Sequence, residues 1–125
     1  MGVNALQHVN IRTGDVERSR DFYVRIVGLR VGDRPPIASV GYWLYLGDQP
    51  VIHLVQAPAA GAATGTGAID HIAFHSTDLA GTRDLLVSEG LPFREAVVPR
   101  DNSVQLFVHD PDGIRIELNF DSSQA

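Results

Sequence analysis

From residue 5 the chain reads ALQHVNIRT. Leu6, His8 and Asn10 fall on one side of an alternation and Val9 and Ile11 on the other, which predicts a half-buried strand. In GDVERSRDFYVRIVG the period changes. Val16, Phe22, Tyr23 and Ile26 stand at helical spacing, with Asp15 placed to cap the start and Gly28 to stop the end. RPPI interrupts regular structure. SVGYWLYLGD and PVIHLVQ then read as two apolar-rich strands joined by a turn at Gly47–Pro50.

Residues 57–68, APAAGAATGTGA, are small and unpatterned and read as a linker. Beyond them the plan repeats: a strand at 69–75, a helix from about Asp78 to Glu89, and a break at Gly90. SVQLFVHDPDGIRIELNF follows as two strands around a DPDG turn. The tail DSSQA is expected to fray. The two halves align without a gap over their first strand and helix, His8 with His71, Asp15 with Asp78, Arg20 with Arg83 and Asp21 with Asp84. The predicted fold class is α+β: two tandem βαβββ modules, about 4–56 and 69–120 around the 57–68 linker, within one domain. Their sheets are expected to form one cupped mixed sheet around a central cavity.

Alternation also says where the unusual polar residues point. His8 and His71 are each followed by apolar residues that should pack on the module's own helix. His53 lies between Ile52 and Leu54, and Glu117 between Ile116 and Leu118. All four therefore occupy the face turned away from the helices. His53 and Glu117 sit in the last strand of their halves, so they are repeat equivalents just as His8 and His71 are. One lone histidine on a strand is ordinary, but four such groups at related positions would be costly if buried without partners. A divalent metal explains the set: imidazole suits Fe, Ni, Co, Zn or Cu, and any three of the four, such as His8, His71 and Glu117, could make a two-histidine, one-carboxylate triad. Asn10, Arg115 and Asn119 share the same face as candidates for contact with substrate or its oxyanion, and Tyr45 and Trp43 alternate on a strand that could line the cavity. His75 and His109 read as exposed.

Composition narrows the rest. With 125 residues, 44% hydrophobic and 20% charged, the chain is long enough for a real core. Net charge is −5 and no basic run occurs, which argues against a nucleic-acid partner. There is no cysteine, and all ten basic residues are arginine, so thiolate, disulfide and lysine Schiff-base chemistry are excluded. No apolar run approaches a membrane span, and the start of the chain has no leader pattern. The expectation is a cytoplasmic protein with no membrane partner.

With those residues in hand, the chain resembles the vicinal-oxygen-chelate superfamily, which includes glyoxalase I, fosfomycin-resistance proteins and extradiol dioxygenases. HVNIRTGDVERSRDFYVRIVGLRV is similar to its opening strand and helix, IDHIAF to its central strand, and FVHDPDGIRIEL to its closing segment. The resemblance implies paired modules cupping a divalent metal (Fe, Ni, Co, Zn or Mn) that chelates two adjacent oxygens of a small-molecule substrate. Carried over, the ligands are His8, His53, His71 and Glu117. It implies a homodimer, in some members with modules exchanged between chains. It also implies either ring-cleaving dioxygenation or a glyoxalase-like lyase or isomerase reaction in which Glu117 moves the proton. Glyoxalase I has a carboxylate where this chain has His53, leaving Glu117 as the one acidic ligand. The alternative is a sequestering protein of the bleomycin-resistance kind.

Overall fold

The computed structural model describes residues 2–58 and 63–124. The predicted linker falls partly outside this range, at 59–62. The chain divides into two units, Met1–Ala63 and Thr64–Ala125, each built as βαβββ.

In the first unit β1 (Val9–Thr13) leads into α1 (Val16–Phe22), followed by β2 (Arg30–Gly32), β3 (Gly41–Leu46) and β4 (Gln49–Gln56). The sheet order is β1-β4-β3-β2, with β1 parallel to β4 and the other pairs antiparallel. The Asp15 side chain accepts from the Arg18 N–H, the capping role expected of it. The predicted helix is not uniform. Its last stretch, Tyr23–Val27, widens into a π-helical turn ended by Gly28 in the left-handed region at φ 90°. The N–H groups of Gly28 and Leu29 both reach the Tyr23 carbonyl, which holds the turn open. Ile11, Val16, Phe22, Tyr23, Ile26, Leu44, Ile52 and Leu54 form the core. The β3–β4 turn is tighter than expected, since Gln49 and Pro50 already belong to β4.

The second unit repeats the design with β5 (Ile72–His75), α2 (Leu79–Ser88), β6 (Arg94–Val97), β7 (Val104–His109) and β8 (Arg115–Phe120), in the order β5-β8-β7-β6. β5 is shorter than the predicted 69–75, so His71 stands just before its strand, as His8 does before β1. The DPDG turn forms as read: Asp110 accepts from the N–H groups of Asp112 and Ile114, and Gly113 takes a φ of 82°. The tail does not fray as expected. Ser122–Gln124 make a short 3₁₀ turn, and the Gln124 side chain accepts from the Asp78 N–H at the head of α2. Among the described residues no helix is long and apolar enough to cross a membrane.

The aligned pairs have matching duties. Asp78 caps α2 through the Gly81 N–H, though from a left-handed φ of 62° where Asp15 is extended. Arg20 ties α1 to β3 through the Tyr42 hydroxyl, and Arg83 ties α2 to β6 through both oxygens of Glu95.

Candidate metal and substrate site

Strand register confirms that His53 and Glu117 are equivalent positions. His53 lies opposite Asn10 of β1 and Trp43 of β3, and Glu117 opposite Ala73 of β5 and Phe107 of β7. Alternation alone would leave both residues half-exposed, yet each is only 8% exposed. The cause is what covers them.

His53 is sandwiched. The His8 ring stacks on it at 3.8 Å between centroids and the Trp43 indole at 4.1 Å, both nearly parallel. Its Nε2 is buried and has no hydrogen-bond partner. Burial pushes the His53 imidazolium below the ordinary histidine value, with His8 and Arg34 adding to the effect and a backbone contact with Pro50 opposing it. A neutral imidazole with an unsatisfied buried nitrogen results, which is costly unless something binds that atom.

In the second unit the His71 Nε2 lies 3.4 Å from Oε1 of Glu117. The other glutamate oxygen accepts from the Asn119 amide at 2.7 Å. On its far side His71 Nδ1 meets Oδ2 of Asp70 at 2.7 Å, and Arg115 reaches the same oxygen at 3.2 Å. The His71 hydrogen bond holds the Asp70 carboxyl below its usual range; burial opposes it, and the Arg115 charge adds to the lowering. A carboxylate can only accept, so the hydrogen-bond pattern assigns the His71 proton to Nδ1. The neutral ring then presents a lone pair to a carboxylate oxygen. Two acceptors so placed need a cation between them, and either a proton on Nε2 or a metal ion meets the need.

His8 is held the same way, with its Nδ1 2.9 Å from the side-chain oxygen of Gln7. Gln7 and Asp70 are themselves repeat equivalents. Each fixes the Nδ1 proton of the following histidine and leaves Nε2 for another partner, the usual support for a metal-binding imidazole. Sequence reasoning missed both residues. A neighbour in a regular strand points to the opposite face, but His8 and His71 precede their strands, and there adjacent side chains can meet. The donor set of three imidazoles and one carboxylate fits a divalent transition metal. Among the described residues no three His, Asp or Glu side chains gather where one ion could touch them all. The structure pairs His8 with His53 and His71 with Glu117, each pair within its own unit.

The candidate substrate contacts divide. Asn119 is spent on orienting Glu117, and Arg115 is shared with Asp70. The Tyr45 hydroxyl donates to the Asp33 carbonyl, and its ring lies where a Cβ on Gly32 would stand, so it braces β2. Asn10 is exposed beside His53. His75 pairs with Asp121, and His109 is exposed at the end of β7.

Known proteins share this arrangement of strands. The profile of the family described as Glyoxalase/Bleomycin resistance protein/Dioxygenase superfamily matches residues 5–118. A lactoylglutathione lyase of Escherichia coli O157:H7 is 34% identical over 122 residues, covering 90% of each chain. The Arabidopsis thaliana protein named Glyoxylase I 4 is 32% identical over 128 residues, covering 96% of this chain and 73% of that one. Among solved structures, a glyoxylase/bleomycin resistance protein/dioxygenase domain from Frankia sp. EAN1pec superposes with a TM-score of 0.78 at 18% identity, covering 96% of this chain and 99% of that one.

Proposed function

The chain belongs to the Glyoxalase/Bleomycin resistance protein/Dioxygenase superfamily, and from that premise we propose that it is a divalent-metal-dependent lyase of the glyoxalase kind. Its substrate is a small molecule that offers two adjacent oxygens. His8, His53, His71 and Glu117 are the residues that would hold the metal, drawn from both units, within one chain or across a homodimer. The observation that carries this reading is the His71 Nε2 and Glu117 Oε1 pair, 3.4 Å apart, each atom oriented from behind by Asp70 and Asn119. Relatives named lactoylglutathione lyase support the lyase class.

When bound, the cation would supply Lewis-acid polarisation of the two substrate oxygens and so acidify the neighbouring C–H. The chain's own residues do the rest. Glu117 takes the carbon-bound proton at Oε1 and returns it to the adjacent carbon, while Asn119 keeps Oε2 engaged and the carboxylate in one rotamer. With His53 in the fourth position there is a single acidic group, so one base removes and returns the proton on one face of the substrate. Trp43 and His8 cover His53 and exclude water from it.

The test is to load the protein separately with Fe, Ni, Co, Zn and Mn and assay it with the methylglyoxal–glutathione hemithioacetal. Glu117→Gln should lower kcat by about 10²–10⁴-fold, the usual contribution of a general base, while an oxygen donor remains for the metal. Unchanged turnover in that variant would remove Glu117 from the reaction. Oxygen uptake with a catechol by the Fe(II) form would instead assign ring cleavage. Tight ligand binding without turnover would indicate sequestration.

A further inference from the structure

The second unit carries a feature that the metal-holding residues do not use. Pro92, Phe93, Arg94, Phe107, His109 and Arg115 line a cavity of about 520 Å³, within the usual range of small-molecule sites. It lies on the Glu117 face of the sheet, because Phe107 is directly opposite Glu117 across β7–β8 and Arg94 is directly opposite Phe107 across β6–β7. The guanidinium groups of Arg94 and Arg115 each stand 4.4 Å from the centre of the Phe107 ring. Arg115 is partly neutralised by Asp70. Arg94 has no carboxylate partner among the described residues. Two arginines and a histidine thus line one cavity in a protein whose net charge is −5.

Comparison of the two units sharpens the point. The register equivalent of Arg94 in the first unit is Gly32, opposite Trp43, and that of Arg115 is Val51, two residues before His53. The shared fold therefore does not require these arginines, since the same strands form with a glycine and a valine in their places. The ring orients the guanidinium planes without consuming N–H donors, so those of Arg94, and those of Arg115 that do not reach Asp70, remain available for the planar, two-pronged recognition of an oxyanion.

We propose that Arg94, with Arg115 and His109 around Phe107, is an anion-binding subsite that holds a carboxylate or phosphate group of the substrate beside Glu117. This deepens the lyase reading and rests on it, in that the Glu117 face is taken as the substrate site; the substrate is then a small acid. The subsite's existence can be measured without turnover. Side-chain NMR of the arginine Nε–H groups, in metal-free protein, is followed while lactate, lactamide or inorganic phosphate is added. Lactate or phosphate should shift Arg94 and Arg115, and neutral lactamide should not. A response to lactate alone assigns a carboxylate, to phosphate alone a phosphoryl group, and to both a general oxyanion site. Arg94→Met should weaken acid binding at least fivefold and Arg94→Lys should recover part of it, because charge returns without the fork. Equal shifts from lactamide, or unchanged acid affinity in Arg94→Met, would overturn the subsite. Either result would leave the lyase reading standing, which fails separately if no metal-loaded form turns over substrate.

Discussion

Asp70 offers the sharpest test of how the histidines are supported. Its Oδ2 receives His71 Nδ1 at 2.7 Å and Arg115 at 3.2 Å. Asp70→Ala removes the group that fixes the His71 tautomer and frees the ring to rotate. Loss of such a support typically costs about 10–100-fold in metal affinity, and that range is expected here. The Asp70 side chain is 71% exposed, so its ion pairs should contribute little to folding and the melting temperature of the metal-free protein should barely move. Asp70→Asn is the more discriminating variant. Its amide oxygen can still accept from His71, the arrangement that Gln7 already makes with His8 at 2.9 Å. It should therefore lose less affinity than the alanine variant, with the difference measuring geometry and the remainder measuring charge. Competition against a calibrated chelator reads both. Affinity in Asp70→Ala indistinguishable from the parent would refute the supporting role, and equal losses in the two variants would assign the whole effect to charge.

Thr13 and Ser19 are fully buried and share a hydrogen bond of 2.7 Å, and the Thr13 hydroxyl also accepts from the Asp15 N–H. Thr13→Val should cost about 1–3 kcal/mol in urea unfolding, the penalty for stripping a partner from buried polar groups. Arg83 holds the Glu95 carboxyl below its ordinary value of 4.5. A carboxyl lowered on folding stabilises the protein above the unfolded value and loses that contribution as pH falls through the folded one. The stability difference between parent and Arg83→Met should thus be complete above about pH 5 and vanish as acid titrates Glu95. If the metal ligands come from two protomers, a His8→Ala/His53→Ala chain refolded with a His71→Ala/Glu117→Ala chain should recover about a quarter of the parent activity. Half the dimers are mixed, and each holds one intact site. No recovery would place all four ligands within one chain.

Much of this was legible because periodicity and duplication agree. Alternation put His53 and Glu117 on the face opposite Ile52, Leu54, Ile116 and Leu118, and the register bears that out. Asp15, Asp78 and Gly28 have the capping roles their types suggest. What escaped was contact that alternation does not encode. The burial of His53 depends on two rings stacking across strands, and that of Glu117 on Phe107, Asn119 and His71 beside it. Gln7 and Asp70 act through the irregular backbone just before each strand. Arg94 lies on β6, a strand too short and polar to be recognised by pattern, so its approach to Phe107 was invisible.

The same duplication that made the site legible also shows where it has diverged. At matching positions the first unit has His53, Trp43, Gly32 and Gln7, and the second has Glu117, Phe107, Arg94 and Asp70. Three of the four differences in that series bring charge into the second unit, and the fourth exchanges one aromatic ring for another. The first unit has neutral donors and stacked rings, and the second carries charge: the Glu117 carboxylate, the Asp70 carboxylate behind His71, and the Arg94 cation over Phe107. A neutral, desolvated imidazole can hold a metal but offers no negative charge to accept a proton, whereas the carboxylate can do both. On the proposed lyase reading, anchoring would fall to the first unit and proton movement with charge recognition to the second. It follows that placing Glu at position 53 would not simply add a ligand. It would set a second negative charge in a stack of His8 and Trp43, where Val51 and Val55 stand in the places of Arg115 and Asn119 and Arg34 is the cation that acts on the site.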